Sequence, residues 1–114
     1  MPHFIIDCSP GVLDIQTPET ILREVHDAAE SSDLFAPGDI KMRIQPYATY
    51  TVGKTDADFV HVFGHIMQGR TTEQKRDLSE RIVRKLKTLF PEVGIVSMNV
   101  VDFEKATYCN RTMV

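Results

Sequence analysis

The sequence has no tryptophan, only two cysteines and no apolar run long enough to cross a membrane. It also lacks a glycine-rich phosphate loop, a Gly-x-Ser-x-Gly nucleophile motif and a His-Glu-x-x-His zinc motif. The formal net charge is −3, so the excess of positive charge that attracts nucleic acid or an anionic membrane is missing. No signal-peptide pattern is present, and we expect a cytoplasmic protein in which Cys8 and Cys109 are reduced.

The spacing of apolar residues divides the 114 residues into two units with the same order of elements, which we treat as one domain, 1–114. It predicts strands at 3–8, 40–52, 58–68 and 95–103. Helices are predicted behind the N-cap Thr17, with Pro18 as the first helical residue, and behind the capping box of Thr71 and Gln74. Each unit is therefore strand, helix, strand, with pseudo-repeats at about 1–55 and 56–114.

Two strand–helix–strand units predict an α+β fold of two layers. Each unit requires a right-handed crossover, which places both helices on one face of a shared four-stranded sheet. The third predicted strand is largely apolar on both faces, with Phe59 and Phe63 on one side and Val60 and Val62 on the other. Because the helices cover only one face, we expect further copies of the chain to cover the other, as a homo-oligomer.

The histidine pair His61 and His65 has a spacing that would suit a metal site on a helix. These residues lie in a predicted strand, where four positions span about 13 Å, too far to share one ion. No cysteine pair has the spacing of metal ligands. The sequence therefore predicts no metal site.

Three cations and one proline are the candidate site residues. Lys41 and Arg43 are two residues apart in the second strand and therefore lie on the same side of it, and Arg70 precedes the second helix. Arginine holds carboxylates in a bidentate geometry, and a helix N-terminus favours an anion nearby. If Met1 is removed, the nitrogen of Pro2 becomes a basic secondary amine with a pKa near neutrality. Taken alone, Pro2 is better explained as the rigid start of a strand.

The opening residues 1–5 and the residues 65–75 at the strand-to-helix junction resemble the tautomerase superfamily, in which an amino-terminal proline acts as the catalytic base. The second segment is similar to 4-oxalocrotonate tautomerase. The whole chain is most similar to the 5-carboxymethyl-2-hydroxymuconate Δ-isomerase family, through residues 1–5, 35–43, 59–61 and 69–70.

This resemblance implies a homotrimer and a cofactor-free 1,3-proton shift on a polycarboxylate in homoprotocatechuate degradation. Pro2 would carry the proton, and Arg70 matches the family's arginine after the glycine. Arg43 matches another arginine of the family. Lys41 stands where the family has an arginine, and since lysine lacks the bidentate fork, this departure bears on the identity of the substrate.

Two other functions are compatible with the same residues. A keto-enol tautomerase with a phenylpyruvate-like monoacid substrate would also use Pro2, although several cations favour a polyacid. A trimeric binding module without catalytic activity would make Pro2 incidental. A chain that keeps Met1 has no free proline amine, so the catalytic hypothesis depends on its removal.

Overall fold

The computed structural model describes residues 1–114, which form four strands, three helices and two short 3₁₀ turns. In chain order these elements are β1 (His3–Cys8), α1 (Val12–Ile15), α2 (Pro18–Glu30), a 3₁₀ turn (Pro37–Asp39), β2 (Lys41–Pro46), β3 (Phe59–Met67), α3 (Thr72–Leu89), β4 (Ile95–Phe103) and a second 3₁₀ turn (Lys105–Thr107).

The four strands form one sheet in the order β2-β1-β3-β4. Strands β1 and β2 are parallel, as are β3 and β4, while β1 and β3 run antiparallel at the centre. This arrangement confirms the α+β fold built from two tandem β-α-β units. The two units differ slightly in the number of residues between their paired strands. In the first unit His3 pairs with Lys41, 38 positions later, and in the second Phe59 pairs with Ile95, 36 positions later.

Both long helices begin where their capping residues predict. The Thr17 side chain accepts a hydrogen bond from the backbone N–H of Thr20, and Pro18 occupies the first helical position. At α3 the Thr71 hydroxyl accepts from the Gln74 amide, while the Gln74 side chain accepts from the Thr71 amide. Neither helix, nor the short α1, is both long and apolar enough to cross a membrane.

A single apolar core lies between the two helices and one face of the sheet. The strands contribute Phe4, Ile6, Val60, Val62 and Ile66, all of them fully buried. Helices α2 and α3 pack onto these residues through a stripe of buried side chains at helical spacing, which are Ile21, Val25, Leu78, Ile82 and Leu86. Both helices therefore cover the same face, as the crossover rule requires.

The opposite face of the sheet has no helix over it. Phe63 on this face is only half-buried, while Ile95 and Val101 on β4 are 45% and 40% exposed. His61 lies beside them and hydrogen-bonds through both ring nitrogens, to Ser97 Oγ at 2.7 Å and to Asn99 Oδ1 at 2.6 Å. This mixed apolar and polar surface is what one chain leaves uncovered.

The prediction that the second strand continues to residue 52 is wrong. β2 is an edge strand that ends at Pro46, which has no N–H for a ladder hydrogen bond. One further backbone bond follows, from Tyr47 N–H to the Cys8 carbonyl, and the chain then leaves the sheet. A tight turn closes between Val52 and Thr55. The short helix α1 was not predicted. The C-terminal residues 104–114, for which no structure was predicted, include the second 3₁₀ turn at Lys105–Thr107.

Candidate active site

The candidate site lies where the start of β1 meets β2 and the junction of β3 with α3. Pro2 is buried directly ahead of β1, and its carbonyl accepts a hydrogen bond from the Lys41 amide at 3.1 Å. The next residue, His3, pairs with Lys41 on one side and with His65 on the other. The start of the chain is thus held inside the sheet and beside cationic residues of its neighbours.

Arg70 is fixed against the loop that follows α2. Its Nη2 donates to the Leu34 carbonyl at 2.6 Å, and its guanidinium carbon lies 5.6 Å from the centre of the Phe35 ring. Phe35 in turn meets the ring of Phe4 edge-on, with centroids 5.9 Å apart. Arginine has five N–H donors, so one backbone contact leaves the others free for an anionic group.

Gly69 sets the direction of the chain as it leaves β3 for Arg70. Its φ of +118° lies in a region that side chains with a Cβ rarely adopt. We expect Gly69→Ala to lower the free energy of unfolding by about 1–3 kcal/mol, measured by chemical denaturation. Gly38→Ala is the matched control, since Gly38 has no positive φ and no atom within 4 Å of an added Cβ. Equal stability changes in both variants would contradict this account of Gly69.

Lys41 and Arg70 both act on the chain's α-amine. Burial lowers the pKa of the Met1 amine, and the positive charges of Lys41 and Arg70 lower it further, while Asp39 opposes them. Lys41 is itself held by a hydrogen bond from Nζ to the Asp39 carbonyl. An amine in this place loses its proton more readily than an exposed one.

Arg43 lies on the same sheet face as Lys41 but contacts a different group. It is exposed on the uncovered sheet face, where its Nη1 lies 3.2 Å from His3 Nδ1. It is not among the charges that lower the pKa of the α-amine, whereas it does lower the pKa of His3. The structure therefore bonds the Lys41 amide to the Pro2 carbonyl, lets the charges of Lys41 and Arg70 act on the α-amine, and pairs Arg43 with His3.

Several residues at this site were not singled out from the sequence. They include His3, Phe35 and Asp39, and also the C-terminal residues that line a groove of about 280 Å³ with His3, namely Phe103, Glu104, Thr107 and Tyr108. One feature of the sequence could have identified His3: the strand period of two places it on the same sheet face as Lys41 and Arg43. The others carried none, because their contacts depend on how a loop and the C-terminal segment fold back.

The sequence profile of the 5-carboxymethyl-2-hydroxymuconate isomerase family matches residues 2–111 of the chain. Among characterised relatives, a 5-carboxymethyl-2-hydroxymuconate Δ-isomerase of Escherichia coli is 24% identical over 106 residues. That alignment covers 91% of this chain and 84% of the relative.

Solved structures show the same fold. A 5-carboxymethyl-2-hydroxymuconate isomerase from Deinococcus radiodurans R1 superposes with a TM-score of 0.83 at 21% identity, covering 96% of this chain and 88% of that one. A fused 4-OT solved as an asymmetric trimer superposes with a TM-score of 0.80 at 10% identity, covering 96% and 92% of the two chains. Both superpositions extend over nearly the whole chain.

Proposed function

Since the chain belongs to the 5-carboxymethyl-2-hydroxymuconate isomerase family, and is thus an isomerase, we propose that it catalyses a 1,3-proton shift on an unsaturated 2-hydroxy or 2-oxo polycarboxylate. A substrate such as 5-carboxymethyl-2-hydroxymuconate, from homoprotocatechuate degradation, has this chemistry. The observation that carries the proposal is the convergence of Lys41 and Arg70 on the amine at the start of the chain, where their charges lower its pKa.

Pro2 is the proposed acid–base group. Once Met1 is removed, the proline nitrogen becomes the α-amine. It belongs to a buried residue next to the Met1 amine on which Lys41 and Arg70 act. These surroundings favour the neutral amine near pH 7, which accepts a proton at one position of the dienol and returns it at another. Because one group acts first as base and then as acid, the reaction requires no cofactor.

Arg70 and Lys41 are the proposed ligands of the substrate's carboxylate and of the oxygen that gains charge as the proton leaves. Cations held in place before the reaction stabilise that charge without reorganisation. Arg70 is held by the Leu34 carbonyl and Lys41 by the Asp39 carbonyl, so neither side chain swings freely. Lys41 offers a point charge where a guanidinium would offer two parallel donors, and it is expected to select less strictly for carboxylate geometry.

The uncovered sheet face supports a homotrimer. Phe63, Ile95 and Val101 leave apolar area in water in the isolated chain, and association of copies would bury it. Two fused 4-OT proteins with this fold, at TM-scores of 0.80 and 0.82, are described as an asymmetric and a symmetric trimer.

An ultraviolet assay with three substrates tests the proposed function. We expect faster turnover of the tricarboxylate 5-carboxymethyl-2-hydroxymuconate than of the dicarboxylate 2-hydroxymuconate, and slow turnover of the monoacid enol of phenylpyruvate. The mass of the intact protein must first show that Met1 is absent. Preference for the phenylpyruvate enol would favour a keto-enol tautomerase. No turnover of any substrate by protein without Met1 would favour a binding module.

A further inference from the structure

The contact between His3 and Arg43 determines the protonation state of the imidazole. Arg43 Nη1 lies 3.2 Å from His3 Nδ1, and a guanidinium can only donate. His3 Nδ1 must therefore accept, which requires a neutral ring that carries its proton on Nε2. The imidazole and the guanidinium together form one donor–acceptor pair across strands β1 and β2.

Two cationic side chains and two titratable bases surround His3. Arg43 and Lys41 face it from β2 and His65 from β3, and the chain's α-amine precedes it. Burial first, and then these charges, lower the pKa of His3. Glu104 and Tyr108 line the groove on its other side. The neutral ring that Arg43 requires is thus favoured by the surroundings.

Arg43 has the free donors of an anion ligand. Its side chain forms none of the seven ion pairs of the chain, although five of them use arginine or lysine on α2 and α3. Its partner within the chain is a neutral ring, so no group of the same chain compensates its positive charge.

We propose that His3 is a positioning residue that holds the Arg43 guanidinium as a second carboxylate subsite, beyond the one at Lys41 and Arg70. This subsite takes the additional carboxylate that distinguishes a tricarboxylate from a dicarboxylate substrate. The inference rests on the proposed function, because it assigns the substrate class of the same site.

Two His3 variants test the contact. His3→Ala removes the acceptor, whereas His3→Asn keeps an amide oxygen close to the place of Nδ1. We expect His3→Ala to raise KM for the tricarboxylate about tenfold, the lower end for a hydrogen bond to a charged group, with little change in kcat. KM for the dicarboxylate stays constant, and His3→Asn retains the wild-type KM for both. An equal rise for both substrates, or no rescue by asparagine, overturns the proposal.

The pH dependence of KM separates positioning from direct binding. Below the lowered pKa of His3 the ring carries a proton on Nδ1, can no longer accept from Arg43 and repels it. KM of the wild type for the tricarboxylate should therefore rise in acid, while that of His3→Asn, which does not titrate, stays level by comparison. A KM that falls in acid would mean that the cationic imidazole itself binds the substrate, and the proposal would be wrong.

A binding measurement keeps the inference separate from the proposed reaction. Calorimetric titration with tricarballylate and with glutarate compares a stable tricarboxylate with a stable dicarboxylate, and needs no turnover. We expect the wild type to prefer tricarballylate, and His3→Ala to lose that preference while His3→Asn keeps it. This result without turnover would refute the isomerase proposal alone. Turnover with an unchanged preference in His3→Ala would refute the role of His3 alone.

Discussion

Replacing Pro2 with alanine is expected to lower kcat/KM for 2-hydroxymuconate-type substrates by about 10²–10⁴-fold, the usual contribution of a positioned acid–base group. The alanine variant keeps a terminal amine, but a primary one without the ring that limits the orientation of the nitrogen. Since Pro2 is buried ahead of β1, the smaller side chain also leaves the amine more accessible to water. Steady-state kinetics by ultraviolet absorbance measures the effect.

The control for Pro2→Ala is the chain that keeps Met1. Its proline nitrogen is an amide that cannot take a proton, so we expect this protein to be folded and inactive. Intact mass identifies the processed and unprocessed forms, and circular dichroism establishes that all of them are folded. Full activity in Pro2→Ala, or in protein shown to retain Met1, would remove Pro2 from the mechanism.

Replacing Arg70 with alanine is expected to lower kcat by about 10²–10³-fold, as the loss of one donor to a developing negative charge does in other enzymes. A second effect follows from electrostatics. Arg70 lowers the pKa of the α-amine, so its removal raises that pKa, and the neutral base forms only at higher pH. The acid limb of the profile of kcat/KM against pH should therefore move to higher pH.

Two further arginine variants sharpen this test. Arg70→Lys keeps the charge but loses the fork, and we expect an intermediate activity with a smaller shift of the acid limb. Arg84→Ala removes an arginine whose side chain is 69% exposed and paired with Glu80 on α3, and it should leave kcat unchanged. If Arg84→Ala were as damaging as Arg70→Ala, the loss would reflect general charge or stability and not the position of Arg70.

Most of the fold could be predicted from local signals that its tertiary structure does not override. The N-caps Thr17 and Thr71 and the alternation in β3 each specify an element, and the crossover rule then determines their packing. The end of β2 could not be predicted in the same way. Tyr47 to Val52 has suitable strand composition, but Pro46 on an edge strand and the turn at Val52–Thr55 end the pairing.

The candidate site was only partly accessible from the sequence. Pro2, Lys41 and Arg70 were identified by residue type and by resemblance, and the structure places them close together; their roles stay predictions. That Arg43 contacts His3, unlike the other two cations, could not be predicted, because the contact depends on the register that pairs His3 with Lys41. The contact of Arg70 with Phe35 depends on the loop after α2, which has no periodicity to interpret.

The tandem architecture has a consequence for how the two units could diverge. A chain has one beginning, so only the first β-α-β unit can present a terminal amine. In the second unit the corresponding place is an internal junction, where Asp58 accepts from Ser9 Oγ at 2.7 Å and the Phe59 amide donates to the same oxygen at 3.1 Å. The start of β1 is thus available for chemistry, whereas the start of β3 is hydrogen-bonded to the end of β1 and connects the two units. Activity can therefore depend on the first strand start while stability depends on the second.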